Sequence, residues 1–371
     1  MEKGRLDIYG PHYSKLAAKF FSEYVLAAKG DNVVISPLSI IVLLAIAADA
    51  TDGNTRKEIA EVLSGVLPYD VAMDTISSIQ KELAETGSLV SSNAAIVKKT
   101  IEKSIRPEYK ESIASKFGGE LFCTDDVVNA VNAWVKEKTK GMIDQIADES
   151  MAGMLLALIN AVAFEAEWEE EYDEDDITED EFRNADGSKS KVNMMFSKEH
   201  LYMENEFFTG FLKPYKNGDY SFMALLPKSK HNGLKFRRAV KKIDFKELYA
   251  SRTPERVMVN IPEFKAEFKT ELTKLCKDMG IKRIFSGKAD FSPLSSEWLK
   301  VNSIIHKARI EVDRKGTKAA AATAMFAVAG AVEMDEPKYV RLDRPFIYAV
   351  VHNGTGLPVF TGVQNSFKER L

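Results

Sequence analysis

The sequence predicts an α+β fold for this chain of 371 residues. Helical patterns dominate the first third of the chain, whereas runs rich in β-branched and aromatic residues dominate from about residue 155 onward. Because the helical and strand regions are segregated, a regular βαβ repeat is not expected. No stretch rich in Pro, Gly or Ser separates two parts of the chain, so a single domain over residues 1–371 is expected.

Helices are expected at four places in the first part of the chain. The segment 13–28 places its large apolar residues on one face and its lysines on another. Val33 to Ala50 is almost entirely apolar after Ser36-Pro37, a pair that suits a helix cap and a first turn, so this helix should be buried. Thr55 to Glu58 has the pattern of a capping box that starts the next helix. A further helix is predicted from Val127 to Ile146.

Strand signals begin at about residue 155 and recur to the C-terminal end. Each is a short run of apolar, β-branched or aromatic residues, in one case alternating in part with polar neighbours. The five segments are Leu155–Phe164, Phe222–Leu226, Val257–Ile261, Phe346–Val351 and Val359–Val363.

Composition excludes several classes of protein. The 51 basic and 55 acidic side chains give a net charge of −4, too balanced for a dedicated nucleic-acid binder. The longest uncharged apolar stretch, 319–332, is shorter than the ~20 residues that span a bilayer, so no membrane partner is expected. Two cysteines far apart, Cys123 and Cys276, exclude both a disulfide scaffold and a multi-cysteine zinc site. Residues 1–5 contain no apolar signal core, so the protein is either cytoplasmic or secreted with a leader that this sequence lacks.

Two segments have strongly biased charge. Glu165 to Glu181 holds twelve acidic residues and no basic one, and Lys228 to Lys246 holds eight basic residues. Both are interpreted as solvated surface. An acidic docking surface for a basic partner is the alternative for the first segment.

Catalytic motifs are missing from the sequence. It contains no Gly-x-Ser-x-Gly elbow, no His-Glu-x-x-His helix and no Gly-rich phosphate loop. None of the five histidines lies three or four positions from another, and His306 sits in an apolar, strand-like setting that predicts a buried, hydrogen-bonded ring. An enzyme is therefore not expected, and neither a cofactor nor a metal ion is implied.

The most unusual segment follows Arg314 to Lys318. The fourteen residues from Ala319 to Val332 carry no charge, and no proline occurs before Pro337. Four consecutive alanines favour a helix, although the flanking residues alternate as in strands. One interpretation is a buried core helix. The other is an exposed segment able to enter a sheet, because small side chains permit entry and the absence of proline keeps every ladder donor.

Several motifs occur in an order and spacing that resemble the serpin family, the serine-protease-inhibitor fold with a mobile reactive loop. The resemblance extends over about residues 12–367. The motifs are Asn32–Ser39 with Gly53–Thr55, Val131–Val135 with Thr139–Ile143, Leu158–Ala161 with Trp168, Phe182 with Asp186–Gly187 and Val192–Met195, and Leu342–Tyr348.

The resemblance implies a serpin fold with three β-sheets, about nine helices and an exposed reactive-centre loop over 314–338. It also implies a metastable inhibitor of serine endopeptidases that acts as a suicide substrate. In the family, the target protease cuts the loop, and the cut segment then inserts into the central sheet and distorts the attached protease. The alternative is a non-inhibitory serpin that acts as a carrier, chaperone or structural binding protein. A hydrolase would need a nucleophile–base pair, and the sequence offers none.

The resemblance also assigns residues to the region where the central sheet opens. The matching positions are Ser36, Ser39, Asn132, Asn160 and His306 for a polar cluster, and Trp168 for the packing residue near the loop's entry point. Ordinary satisfaction of buried polar groups is the alternative. Arg314 stands where the family usually has an acidic residue, as does Lys318, and Glu263 stands where a lysine is usual. We therefore expect an inverted ion pair between Arg314 and Glu263.

The hinge of the loop comprises Arg314, Gly316, Thr317, Ala319, Ala321 and Thr323. Because side chains in a strand alternate, an inward-facing Thr317 would place Ala319, Ala321, Thr323, Met325 and Ala327 inward as well. All six are uncharged, which favours an inhibitor over a non-inhibitory serpin.

The length of the inserted segment predicts the cut. Seventeen residues counted from Arg314 end at Gly330, so the reactive bond is Gly330–Ala331, with Val328, Ala329 and Met334 as alternates. The small side chains suit elastase-like or subtilisin-like proteases, and the absence of Lys and Arg makes trypsin-like targets poor.

Partner and location follow from the same resemblance. No cluster of Lys and Arg occurs in the helical segments before Asn93, so no heparin site is expected. The protein should be an extracellular monomer that forms loop–sheet polymers on heating, with a cytoplasmic location as the alternative.

Overall fold

A computed structural model describes residues 3–229, 234–317 and 336–368 of the chain. The chain divides into two compact units. Unit one comprises Met1–Tyr13, Ile35–Ala163 and Phe268–Arg309, and unit two comprises Ser14–Val34, Phe164–Glu267 and Ile310–Leu371. The sequence-based expectation of a single domain stays a prediction.

Nine α-helices occur in the described residues: α1 Lys3–Ala27, α2 Pro37–Asp49, α3 Gly53–Leu63, α4 Tyr69–Glu85, α5 Pro107–Phe117, α6 Val127–Lys138, α7 Leu234–Lys241, α8 Phe245–Ala250 and α9 Thr273–Asp278. Short 3-10 helices occur at Lys99–Ser104, Glu149–Met151, Glu174–Asp176 and Arg283–Phe285. No helix in the described ranges is both long and apolar enough to cross a membrane.

The sixteen strands of the described residues are β1 Val33–Ile35, β2 Leu89–Lys98, β3 Glu120–Thr124, β4 Leu156–Phe164, β5 Ala166–Glu167, β6 Ile177–Arg183, β7 Lys189–Glu204, β8 Phe208–Pro214, β9 Tyr220–Pro227, β10 Thr253–Pro262, β11 Phe264–Glu271, β12 Ser303–Asp313, β13 Gly316–Thr317, β14 Lys338–Arg341, β15 Phe346–His352 and β16 Leu357–Gln364.

Unit one contains the buried helix α2 and most of the central sheet. Ser36 precedes this helix, and its hydroxyl accepts a hydrogen bond from the N–H of Ser39 at 3.2 Å, as the Ser-Pro pair predicts. Four strands of the sheet follow the order β3-β2-β4-β12. Strands β4 and β12 pair in parallel, from Ser303 opposite Ala157 to Arg309 opposite Ala163. Because β4 is buried along its whole length, its sequence is a continuous apolar run.

The other two sheets share one long strand in unit two. The first part of β7 pairs with β6 and β10, and β10 pairs with β14. The last residues of β7 pair with β8. From β8 the sheet continues in the strand order β9, β15 and β16. The predicted α+β class, three sheets and about nine helices are confirmed.

Two predicted helix boundaries are wrong. Helix α3 begins at Gly53, because the Asp52 carboxylate accepts the Gly53 N–H at 2.8 Å. The expected capping residues bind elsewhere: the Thr55 hydroxyl accepts from the N–H of Asp290, and Glu58 accepts from the backbone of 282–283. Helix α6 ends at Lys138, well before 146, because the backbone turns left-handed at residues 140 and 141, with φ of 51° and 75°.

Candidate functional site

A buried histidine connects the two central strands of unit one. His306 on β12 stands opposite Asn160 on β4, and both are fully buried. The N–H of Ser36 donates to His306 Nε2 at 3.0 Å, so this nitrogen is the acceptor. The hydrogen of the neutral ring is therefore on Nδ1, which donates to Asn160 Oδ1 at 2.8 Å.

The Asn160 amide extends the cluster to strand β2. Its Nδ2 donates to Asn93 Oδ1 at 2.9 Å, with Ser91 Oγ and the carbonyl of residue 92 each at 3.3 Å. The Ser91 and Ser39 hydroxyls lie 3.2 Å apart and share a hydrogen bond. The cluster thus connects three strands of the central sheet and the start of α2. Sequence reasoning missed Ser91 and Asn93, although three consecutive polar residues in an otherwise apolar strand were a signal.

The arrangement makes His306 a connecting group rather than a base. Both ring nitrogens are engaged, one as acceptor and one as donor. Burial lowers the pKa of His306 to about 3, so the ring is neutral at ordinary pH. In the described ranges, no group of three or more His, Cys, Asp or Glu side chains is placed to hold a metal ion.

Asn132 stands apart from this cluster. Its Oδ1 accepts from the N–H groups of Ile146 and Ala147, each at 2.8 Å, and its Nδ2 donates to the Ala147 carbonyl at 3.1 Å. The side chain therefore fixes the segment that follows α6. The sequence-based grouping of Asn132 with the polar cluster is not what the structure shows.

Trp168 lies in unit two, against the end of β12. The side chain is fully buried and stacks on Tyr215, with ring centroids 4.6 Å apart and planes 9° apart. Its indole Nε1 donates to the Asp313 carbonyl at 2.8 Å, and its backbone N–H donates to the Lys315 carbonyl at 3.0 Å. Trp168 thus contacts residues 313 and 315, at the start of the predicted loop.

The first two residues after the turn at 314–315 form a strand. β13 pairs antiparallel with Val312–Asp313 of β12 on one side and with β5 on the other. Thr317 is fully buried, and its hydroxyl lies 2.7 Å from the Tyr215 hydroxyl. A Cβ on Gly316 would lie 2.7 Å from the Glu167 Cα and closer still to the Ala166 carbonyl oxygen, so this position requires glycine.

The expected ion pair between Arg314 and Glu263 is wrong. Arg314 Nη1 lies 3.2 Å from Glu174 Oε1, and Glu263 accepts a hydrogen bond from Asn193 Nδ2 at 2.7 Å. The backbone decides this choice, because the N–H of Tyr172 donates to the Arg314 carbonyl at 2.9 Å and brings the acidic segment beside the turn. With its partners 44% and 88% exposed, this pair contributes at most about 1 kcal/mol to stability.

Residues 318–335 of the predicted loop lie outside the described residues. This applies to the hinge positions Ala319, Ala321 and Thr323, and to the reactive-bond candidates Val328, Ala329, Gly330, Ala331 and Met334. The chain returns at residue 336 and enters β14, which pairs in parallel with β10.

Comparison with known proteins gives one consistent result. A family model described as Serpin (serine protease inhibitor) matches residues 11–366. The leukocyte elastase inhibitor of Sus scrofa is 29% identical over 361 residues, which cover 89% of this chain and 92% of that protein. The crystal structure of the thermophilic serpin tengpin in the native state has a TM-score of 0.83 and 32% identity, and the match covers 96% of this chain and 94% of that one.

One further match bears on the fold alone. Human thyroxine-binding globulin has a TM-score of 0.85 at 21% identity, with 97% of this chain and 99% of that one covered. This chain shares the globulin's fold, but 21% identity does not show that the two proteins share an activity. The family model covers nearly the whole chain, and it shows that this chain belongs to the serpin family.

Proposed function

We propose that this serpin inhibits serine endopeptidases as a suicide substrate, through cleavage of its loop and insertion of the cut segment into the central sheet. The observation that carries the proposal is the two-residue strand β13, in which Gly316 and Thr317 are paired on both sides and Thr317 is buried. The start of the loop is therefore seated as a strand beside β12.

The strand register is compatible with insertion of the loop between β4 and β12. β5 follows β4 in the chain after a single residue, Glu165. β13 lies between β5 and the end of β12, whereas the preceding parts of the same two segments, β4 and β12, pair with each other directly. If β13 grew along β12, it would replace the β4–β12 pairing with a new antiparallel strand. About a dozen added backbone hydrogen bonds at ~0.5–1.5 kcal/mol each would supply on the order of 10 kcal/mol.

The target we propose is a protease with a small specificity pocket. The residues before the predicted Gly330–Ala331 bond are Phe326 to Ala329, which include no Lys or Arg. A relative at 29% identity is named for the inhibition of leukocyte elastase, which supports this choice. An extracellular location, a monomeric state and independence of heparin stay predictions.

The direct test is to mix the purified protein with pancreatic elastase and, separately, with trypsin. We expect a covalent complex with elastase that survives SDS, no comparable complex with trypsin, and release of a peptide that spans 331–371 by mass spectrometry. A main cut outside Val328 to Ala331, or a complex with trypsin and none with elastase, would overturn the assigned bond.

A non-inhibitory carrier is the second candidate, because a thyroxine-binding globulin shares the fold. The same gel separates the two functions. Loop cleavage by several serine proteases without any SDS-resistant complex would favour the carrier.

A further inference from the structure

A buried ion pair lies beneath the hinge in unit two. Lys213 Nζ on β8 is 3.0 Å from Glu199 Oε1 on β7, and the two side chains are 3% and 6% exposed. Lysine and glutamate are seldom buried this completely, because the loss of hydration costs more than most ion pairs return. A charge pair at this depth therefore calls for a role other than stability.

Both charges have further partners. Glu199 Oε1 also accepts from Ser197 Oγ at 2.6 Å, and Ser197 Oγ lies 3.1 Å from the Tyr172 hydroxyl. Burial, and then the nearby Glu199 carboxylate, hold the pKa of Tyr172 well above its usual range, so the phenol keeps its proton and donates. The Lys213 ammonium lies 4.6 Å from the centroid of the Tyr172 ring and 5.4 Å from that of Trp168, within the range of cation–π attraction.

The two residues that surround the ammonium also hold the hinge. Trp168 binds the carbonyls of Asp313 and Lys315, through its indole and backbone N–H groups, and Tyr172 binds the carbonyl of Arg314 through its backbone N–H. Three consecutive carbonyls before Gly316 are thus bound by residues whose rings face one buried cation.

We propose that the Lys213–Glu199 pair positions the hinge. The carboxylate fixes the ammonium on one side, and the ammonium fixes the Trp168 and Tyr172 rings on the other. These residues in turn hold the backbone of 313–315 in place, so the pair determines how readily the hinge leaves its seat. An apolar side chain would fill the same space without forming the ion pair or the cation–π contacts that orient the two rings. The effect on inhibition rests on the proposed function, whereas the effect on the hinge does not.

The test replaces both charges with apolar side chains in the variant Lys213→Met/Glu199→Leu. Such a replacement usually leaves the free energy of unfolding unchanged or raises it. We nevertheless expect the amides of Trp168 and Tyr172 to exchange hydrogen about tenfold faster, measured by mass spectrometry on peptides within 165–174. With Trp134 and Trp298 replaced by Phe, the emission of Trp168 should also change. The single variant Lys213→Arg keeps a cation over the rings, so hydrogen exchange in 165–174 should stay as slow as in the unmodified protein.

The matched control is the exposed pair Lys191–Glu179, whose side chains are 76% and 64% exposed. Its Met/Leu replacement should leave exchange in 165–174 unchanged. If this double variant fails to fold, Lys213→Met/Glu199→Gln also removes both charges, keeps an acceptor for Ser197 and should give the same acceleration.

Two results would overturn the inference. One is unchanged exchange in 165–174 in a folded variant; the other is a rise in exchange throughout unit two that follows a loss of global stability. The proposed function fails separately, if the unmodified protein forms no complex with any serine protease. In an inhibitory protein, the double variant should also lose activity faster on storage at 37 °C, because a loosened hinge inserts without cleavage.

Discussion

Thr317, whose role in the hinge stays a prediction, has a well-defined buried position. It is fully buried, and its hydroxyl shares a hydrogen bond with the Tyr215 hydroxyl at 2.7 Å. Burial of Tyr215 raises the pKa of its phenol far above the usual range, so the phenol stays protonated and the hydrogen bond persists at any ordinary pH. A polar but uncharged side chain therefore fits this position.

If the protein inhibits proteases as proposed, Thr317→Arg should convert it from an inhibitor into a substrate. Thr317 is already buried in the intact protein, so an arginine there would bury an unpaired charge at a cost of several kcal/mol unless β13 left its place between β12 and β5. We therefore expect β13 to be displaced, insertion to start from this displaced hinge and slow, and the acyl-enzyme to hydrolyse first. On an SDS gel with elastase, we expect cleaved protein in place of the covalent complex. Thr317→Ser keeps the hydroxyl and serves as the control. An unchanged stoichiometry of inhibition in the arginine variant would show that this side chain does not face inward during insertion.

His306 is the second residue whose environment has a measurable consequence, the dependence of stability on pH. Its pKa is about 3 in the folded protein against 6.5 in the unfolded chain. The unfolded state therefore binds a proton that the folded state does not, whenever the pH lies between these values. The corresponding stability is complete above pH 6.5 and is lost as the pH falls toward 3.

Replacement of this histidine should reduce the acid sensitivity of the protein. Between pH 6.5 and about 4, we expect the free energy of unfolding of the unmodified protein to fall by about 1.4 kcal/mol per pH unit through this one group. Urea unfolding of His306→Gln at pH 7, 6, 5 and 4 should show a slope smaller by roughly that amount, whereas the exposed His200→Gln should keep the original slope. Equal slopes in all three proteins would mean that His306 is not the group responsible.

At the scale of elements, the two-residue strand β13 is the one on which the proposed function depends most. β13 is only two residues long, yet it has a partner on each side. The turn before it is closed by the Asp313 carboxylate, which accepts from the N–H groups of Lys315 and Gly316 at 2.9 and 3.2 Å. Close approach of β5 is possible only because residue 316 has no side chain.

Gly316→Ala should displace β13 from β5. The new Cβ would meet backbone atoms of 166 and 167, which cannot rotate away, so we expect a loss of more than about 1 kcal/mol in the free energy of unfolding. Gly153→Ala is the matched control, since a Cβ there meets nothing within 4 Å. Chemical denaturation of the three proteins gives the comparison. Equal midpoints for the two variants would contradict the close packing of β13.

At the scale of the whole molecule, the proposed function requires a structure that gains stability when its loop is cut. Family membership and the direct β4–β12 pairing are consistent with a central sheet that can accept another strand. The gain would come from backbone hydrogen bonds that the intact chain does not make. A central sheet that can accept another strand would also allow the loop of a second copy to insert, and repeated insertion of this kind produces polymers.

Cleavage by elastase should therefore raise the temperature of thermal unfolding. With on the order of 10 kcal/mol added by the inserted strand, calorimetry should show the cleaved protein melting well above the intact one. Prolonged mild heating of the intact protein should produce a ladder of polymers on a native gel. Soon after cleavage, Thr317→Arg, in which insertion is slowed, should show a smaller rise in melting temperature over its own intact form than the unmodified protein shows. A cleaved protein with no rise in melting temperature would argue for a non-inhibitory serpin.

Local sequence determined the α+β class, the buried helix α2 with its Ser36 cap, the main strands and the family, because each depends on neighbouring residues or on the order of motifs. It did not determine the Glu174 partner of Arg314, the separate role of Asn132 or the burial of Lys213 with Glu199. These depend on strand register and on the paths of connecting segments, which bring together side chains far apart in sequence. A lysine and a glutamate are expected in solvent from sequence alone. Only the tertiary structure makes Lys213 and Glu199 a buried pair, with the rings of Tyr172 and Trp168 packed on the lysine.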